Sequence, residues 1–125
     1  MSAKTAALVI GFIFIAVGLL GYVDNPIVGE SENVIFHADS VHNWVHIISG
    51  VLFVLIASVA PSRARTFLII FGIVYLAIGI LGLMRIGDDE MTQVFGFLHV
   101  NSNDNYLHIG LGVLILLAGV AARRV

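Results

Sequence analysis

Long apolar runs separated by short polar segments make up nearly the whole chain. Residues 5–23, 40–62, 66–84 and 105–122 form four runs that contain no Asp, Glu, Lys or Arg. Each run matches the ~20 residues that an α-helix needs to cross a hydrocarbon core about 30 Å thick. Apolar and polar side chains do not alternate within the runs, which argues against barrel strands. Because backbone polar groups in lipid must be satisfied internally, the pattern predicts four membrane-spanning helices.

The composition indicates that lipid is the solvent of this chain. Of its 125 residues, 59% are hydrophobic and only 11% are charged, whereas a soluble domain carries about 25% charged residues. A folded surface this apolar would aggregate in water. The chain has no cysteine, which excludes disulfides, thiolate metal sites and cysteine nucleophiles.

Charged residues are distributed unequally between the two ends of the predicted helices. The N-terminus, the middle turn and the C-terminus carry the basic residues Lys4, Arg63, Arg65, Arg123 and Arg124. The two longer loops and their edges carry Arg85 and all the acids, which are Asp24, Glu30, Glu32, Asp39, Asp88, Asp89, Glu90 and Asp104. By the positive-inside rule, we expect a multi-pass protein of the inner (plasma) membrane with both termini in the cytoplasm.

The second half of the chain repeats the first. The motif N-[WY]-x-H-I-x-x-G occurs at residues 43–50 and again at residues 105–112. We therefore predict an all-α, polytopic membrane four-helix bundle built from two tandem parallel two-helix repeats, residues 1–62 and 63–125, in one integrated domain. Small residues spaced seven apart share a helix face and allow close packing. They are Gly11 and Gly18, Gly50 and Ala57, Gly72 and Gly79, and Gly112 and Gly119.

The two longer loops follow the first and third apolar runs, and each is acidic early and apolar late. We expect their apolar parts to form short interfacial helices or turns over the mouth of the bundle. At the start of the helices that follow, Ser40 and Ser102 are the predicted N-caps. Asn43 and Asn105 are expected to reach back toward them as a variant of the capping box.

The histidines form the main candidate site. His42 and His46 are spaced i, i+4 and share one helix face, and the repeat places Asp104 and His108 at the matching positions. Three imidazoles and a carboxylate suit zinc, iron or copper, so His42, His46, Asp104 and His108 are a candidate transition-metal site. A further alternative is axial ligation of a haem or chlorin by His46 and His108.

A purely structural role is the competing interpretation of these positions. Asn43, His46, Asn105 and His108 lie inside the predicted helices, where an unpaired polar group is costly. In this hypothesis the four side chains form a structural polar cluster. They hydrogen-bond across a pseudo-two-fold axis and hold the helices together.

Two signatures resemble those of a known family. Residues 42–50 and 100–108 look like the paired signatures of small bacterial four-span proteins, the family of domain of unknown function 4383. The resemblance implies a four-helix membrane protein of bacterial or archaeal type. It supplies no activity, cofactor or catalytic residue. The motif positions that it carries over are Asn43, His46, Asp104, Asn105 and His108.

The function that the sequence favours is a non-catalytic membrane scaffold or accessory subunit, because the spans carry no acid or base deep in the bilayer. The alternative is a metal- or haem-binding membrane protein that uses the outer-leaflet histidines. An enzyme is disfavoured, since no nucleophile with an adjacent base and no phosphate-binding glycine loop is recognisable. The partners expected are the lipid bilayer and other membrane subunits or a second copy of the chain, and the few basic residues do not support nucleic-acid binding.

Overall fold

Four long helices dominate the computed structural model, which describes residues 1–31, 33–87 and 89–123. Glu32, Asp88 and Arg124, whose charges were counted above, lie outside the described residues. The helices are α1 (Ala3–Leu20), α2 (Ser40–Val59), α3 (Ala64–Ile86) and α4 (Ser102–Ala121), with a short 3₁₀ turn at Pro61–Arg63 before α3. All four are long and apolar enough to cross a membrane. The predicted all-α, four-helix membrane fold is therefore confirmed.

Glycines bring the helices of each hairpin into close contact. A Cβ on Gly11 of α1 would lie 2.8 Å from the carbonyl oxygen of Gly50 in α2. The second hairpin makes the matching contact, because a Cβ on Gly72 of α3 would lie 2.9 Å from the carbonyl oxygen of Gly112 in α4. Both distances are too short for a side chain. The absence of a Cβ thus allows backbone-to-backbone packing, the mode of association that small residues permit in membranes.

Aromatic side chains fill the space between the two hairpins. The rings of Phe14 and Tyr75 lie 5.3 Å apart, centroid to centroid, and join α1 to α3. Below them, Phe53 of α2 contacts Phe71 of α3 at 4.7 Å in an edge-on arrangement. Such tilted and edge-on pairs are the preferred aromatic geometries. This aromatic cluster forms the middle of the core, and two of the buried histidines pack against it.

The first residues of the chain meet Arg123, the last described residue, at one end of the bundle, which we call the terminal end. The backbone N–H of Ala3 donates to the carbonyl oxygen of Arg123 at 2.9 Å. At the same end, the Arg65 side chain donates to the carbonyl oxygens of Gly119 at 3.0 Å and Val120 at 3.2 Å. These carbonyls belong to the last turn of α4, where a cation is stabilised by the helix dipole.

The opposite end, which we call the loop end, contains two small sheets. Strands β1 (Val28–Gly29) and β2 (Phe36–His37) pair in parallel, and β3 (Met91–Val94) and β4 (Leu98–Asn101) pair as an antiparallel hairpin. The expected interfacial helices are not found among the described residues of these loops. Backbone pairing instead satisfies the polar groups of segments too short for stable helices. The predicted turn does occur between β3 and β4, where Gly96 adopts a positive φ of 77°.

The two loops also bind each other. The Nδ1 atom of His99 lies 3.0 Å from the Oδ2 atom of Asp39. The side-chain amides of Asn101 and Asn103 donate to the carbonyl oxygen of Ile35 at 3.3 and 3.0 Å. The second loop is thereby fixed against the first, directly above the buried histidines.

Candidate functional site

The N-termini of α2 and α4 set the position of the site, and their caps differ from the predicted ones. Asp39 caps α2, because its Oδ1 atom accepts from the N–H of His42 at 2.9 Å. Asn101 caps α4 and forms a capping box with Asp104. Ser40 and Ser102 are the first residues inside the helices, so the prediction that they are the caps is wrong. Asp and Asn reach the third helical N–H at least as well as serine does.

Three imidazoles converge inside the bundle at the loop end. His42 and His46 of α2 and His108 of α4 each offer a nitrogen within 4.8 Å of the others. The ring centroids of His42 and His46 are 4.6 Å apart, and those of His42 and His108 are 5.6 Å apart. All three side chains are buried. The i, i+4 spacing on α2 therefore supplies two members of the group and the second hairpin supplies the third.

The aromatic core fixes two of these rings from below. Phe14 stacks nearly parallel on His46, with centroids 5.8 Å apart and an interplanar angle of 12°. Tyr75 packs against His108 at 5.3 Å. Each imidazole thus rests on an aromatic ring of the helix that precedes its own. The aromatic core thus packs against one imidazole of each hairpin.

One ring nitrogen of each imidazole in the group lacks a hydrogen-bond partner. The Nδ1 atoms of His42, His46 and His108 are buried, and none has a partner within the described part of the chain. Buried polar groups in native proteins are normally paired, so each exception calls for an explanation such as a bound ion. Three such exceptions at one point indicate a site for a shared ligand.

Asp104 lies close by but has another partner. Its Oδ2 atom accepts from the backbone N–H of Asn101 at 2.8 Å, which completes the capping box. The side chain is buried and lines the same cleft as the three imidazoles. It is nevertheless not a member of the described group whose ligand atoms lie within 4.8 Å of one another. The Asp104 carboxyl group is thus held by a backbone N–H at the start of α4.

Asn43 and Asn105 lie against glycines of their own hairpins. Asn43 contacts Gly21, which follows α1, and Asn105 contacts Gly82 of α3, so closely that neither glycine has room for a Cβ. The Oδ1 atoms of both asparagines are buried without a partner among residues that the structure describes. Of the residues expected to form the structural polar cluster, Asn105 also has an unpartnered Nδ2 atom among the described residues, and His46 and His108 each have an unpartnered Nδ1 atom.

A cleft of about 270 Å³ leads from the helix surface to the imidazoles. It lies between α1 and α4 and beneath the first loop. Its polar lining consists of His37, His42, His46, Asp104 and His108. Its apolar lining consists of Ile13, Phe14, Val17, Leu20, Ile27, Val28, Phe36, Ala38, Leu107 and Leu111. The sequence gives no signal for this cleft, because it depends on the separation of two helices that are distant in the chain.

The two loop histidines have surroundings that differ from those of the buried group. His37 and His99 face each other across the loops with ring centroids 6.5 Å apart. Partial burial lowers the pKa of the His37 imidazole below its ordinary value, although the nearby Asp39 carboxylate acts in the opposite direction. His37 is therefore mainly neutral at pH 7. It adds a polar but uncharged group to the roof of the cleft.

The geometry of the imidazole group suits a metal ion better than a macrocycle. Zinc–nitrogen bonds of about 2.0–2.1 Å at tetrahedral angles place ligand nitrogens about 3.3 Å apart. In the structure the ligand atoms of the three imidazoles lie within 4.8 Å of one another. Each pair of nitrogens would therefore have to approach by about 1.5 Å at most, which a small rotation of the side chains provides. Pockets that enclose a drug-sized ligand measure about 300–1,000 Å³. A cleft of about 270 Å³ is too small to enclose a haem or chlorin.

The N-cap of α4 has a recognisable signal in the sequence. Asn101 and Asp104 form an N-x-x-D pattern just before an apolar run, and this pattern is typical of a capping box. The pattern predicts that the Asp104 side chain binds the N-cap backbone, as the structure shows.

The chain matches the model of a known protein family. No curated protein and no solved structure matches the chain. A family model described as a domain of unknown function (DUF4383) matches residues 4–121. Because this match covers nearly the whole chain, it confirms the resemblance of the two signatures, and the protein belongs to that family.

Proposed function

We propose that this membrane protein binds one transition-metal ion through His42, His46 and His108. The observation that carries the proposal is the convergence of three buried imidazoles whose ligand atoms lie within 4.8 Å of one another. Three neutral imidazoles with an open fourth position are a ligand set found in zinc sites, and imidazole also suits copper and iron. A bound cation would use nitrogen lone pairs that otherwise face apolar surroundings.

The scaffold or accessory-subunit role gives a different account of the same side chains. It requires the imidazoles and asparagines to hold the hairpins together. Several of their buried polar atoms, including the Nδ1 atoms of His46 and His108, have no hydrogen-bond partner among the described residues, whereas glycine packing and the aromatic core already join the helices. A metal ion explains the burial of three imidazoles at one point, and we therefore rank it above a packing role. Contact with other subunits or a second copy of the chain is compatible with either.

Metal loading of purified protein tests the proposal. The full chain, extracted in mild detergent and stripped with a chelator, is dialysed against Co²⁺ or Zn²⁺, and the bound metal is counted by elemental analysis. We expect one ion per chain, with visible bands of low-symmetry Co²⁺. A His42→Ala, His46→Ala, His108→Ala variant should bind none, while a His37→Ala, His99→Ala variant retains the ion. A wild-type protein that binds no metal, or a triple variant that still binds one ion per chain, contradicts the proposal.

Replacement of Asp104 by asparagine distinguishes a set of three ligands from the set of four that includes this carboxylate. The amide of the Asp104→Asn variant keeps an oxygen that can accept from the N–H of Asn101, so the cap is preserved. We expect the affinity for Co²⁺ to fall by no more than about tenfold, the low end of the loss for groups that support a ligand without binding metal. A titration followed by absorption measures it. A loss as large as that of the His46 variant would make Asp104 a ligand.

We further propose that the terminal end faces the cytoplasm of a bacterial inner membrane. Lys4, Arg63, Arg65 and Arg123 all belong to the terminal end, where the short turn between the hairpins also lies. Positive charge in short loops favours retention on the cytoplasmic side. The buried imidazoles, near the other end, would then lie in the outer leaflet.

Cysteine labelling in cells tests this orientation. The chain has no cysteine, so Ser31→Cys in the first loop and Ser62→Cys in the middle turn each introduce one reactive thiol at an exposed position. A membrane-impermeant maleimide added to intact spheroplasts is expected to label the thiol at position 31 and to leave position 62 unlabelled until lysis. The opposite pattern would reverse the orientation.

A further inference from the structure

The cleft that ends at the imidazoles is bounded by two helices that face lipid. Ile13, Val17 and Leu20 of α1 form one wall, and Leu107 and Leu111 of α4 form the other. These walls are apolar, and none of the five side chains is fully buried. Ile13, at the edge, is 51% exposed. Since this surface lies within a membrane span, the side of the cleft faces the acyl chains.

The first loop covers the cleft on the side of water. Val28 and Ala38, which belong to its roof, are 4% and 1% exposed. The roof is held in place by pairing of β1 with β2 and by the Asn25 side chain, which accepts from the N–H groups of Ile27 and Val28 at 2.8 and 2.9 Å. A ligand therefore reaches the imidazoles more directly from the bilayer than from the aqueous phase.

The lining defines the chemistry of a molecule that fits. Of the described residues that line the cleft, none is Lys or Arg, so an anionic phosphate or carboxylate head has no cationic partner. The Asp104 carboxyl group also lines the cleft, and its ionised form repels an anion. The imidazoles can donate hydrogen bonds to a neutral oxygen. Phe14 and Phe36 add aromatic side chains to the lining, which suit contact with a flat ring.

The volume of the cleft suits a ligand with a single substituted six-membered ring. A cavity of ~150 Å³ lined by apolar side chains is enough for benzene. The present 270 Å³ admits a ring with small substituents, while a long tail remains between the walls and the surrounding lipid. A sterol nucleus or a complete phospholipid head exceeds this space.

We propose that the cleft binds a lipid-soluble quinone, with its ring inside and a ring carbonyl oxygen at His42, His46 and His108. The inference rests on the proposed function, because the ring ends at the same imidazoles, and it names the class of ligand that this site receives. The flat head lies among the aromatic and imidazole rings, an imidazole N–H that does not bind the metal donates to its carbonyl oxygen, and the apolar walls accept its tail. All three features lie in one cleft that opens toward the membrane.

Quinone binding is measured on the full chain in phosphatidylcholine nanodiscs, with a decyl-substituted benzoquinone as the probe. Bound probe is counted after subtraction of its partition into empty nanodiscs, and bound Zn²⁺ is counted in the same sample. We expect saturable binding of one quinone per chain. Decylbenzene, which lacks carbonyl oxygens, and oleate, which carries an anionic head, should not compete.

Ile13→Trp is the variant that fills the edge of the cleft, and Val74→Trp is its matched control. Val74 occupies the corresponding place on α3, is 45% exposed and does not line the cleft. We expect Ile13→Trp to weaken quinone binding at least about tenfold by removing contact area. Val74→Trp should leave it unchanged, and both variants should retain their metal.

The four combined outcomes separate the two proposals. Metal and saturable quinone together support both. Metal without quinone overturns the cleft assignment alone, and quinone without metal overturns the metal proposal alone. The absence of both overturns both. Equal loss of quinone in the two tryptophan variants, or competition by oleate or decylbenzene, also contradicts the cleft assignment.

Discussion

Replacement of His46 by alanine is expected to lower the affinity of the chain for Co²⁺ or Zn²⁺ by more than about 100-fold. Loss of a group that only supports a ligand typically costs 10–100-fold, and loss of a ligand should exceed that range. The ring of His46 lies 4.6 Å from that of His42, centroid to centroid, and stacks on Phe14. The titration is followed through the visible bands of Co²⁺ in detergent-purified protein.

The matched control for this experiment is His37→Ala. His37 lies in the roof of the same cleft but is not a member of the buried imidazole group. Its removal should change the metal affinity by only a few-fold. Because His46→Ala also removes packing against Phe14, the monodispersity of each variant is checked before titration. A correctly folded His46→Ala protein that binds metal as tightly as the wild type would refute the assigned ligand set.

Replacement of Gly112 by alanine is expected to destabilise the second hairpin by about 1–3 kcal/mol, the usual cost of overpacking a tight core. A Cβ at this position would lie 2.5 Å from the backbone nitrogen of Leu76 and 2.9 Å from the carbonyl oxygen of Gly72. Both are backbone atoms and cannot rotate away, so α3 and α4 would have to separate. Unfolding in mixed micelles of rising denaturing-detergent content measures the free energy of unfolding.

Gly110→Ala provides the control on the same helix. Gly110 is exposed, and a Cβ there would meet nothing within 4 Å. Alanine favours helix over glycine by roughly 1 kcal/mol in peptides, so this variant should be neutral or slightly more stable. If the two variants lose the same stability, the loss reflects a general sensitivity of α4 and not the close contact with α3.

The helices could be predicted because the thickness of the bilayer determines their lengths. Each apolar run had to span the hydrocarbon core with its backbone bonds satisfied, and the structure places helices over all four runs within a few residues. The i, i+4 spacing of His42 and His46 likewise predicts their shared face, since a single helix determines it. Features governed by one element were thus accessible from local pattern alone.

Features that depend on several elements were not accessible in this way. The strands of the loops pair segments with little periodicity of their own, such as Phe36–His37 with Val28–Gly29. The cleft depends on the distance between α1 and α4. The repeat placed Asp104 opposite His42 by analogy, yet the side chain has a local partner in the N–H of Asn101. Matching positions in a sequence repeat, such as His42 and Asp104, can therefore have different chemical roles.

X-ray absorption at the zinc edge of the loaded, full-length protein tests the metal site most directly. We expect a first shell of low-coordinate nitrogen or oxygen at about 2.0–2.1 Å, with the outer-shell scattering of three imidazole rings. The triple alanine variant, treated in the same way, should show neither feature. A six-oxygen shell without imidazole scattering in the wild type would mean that the ion is bound adventitiously, and that His42, His46 and His108 do not form a metal site.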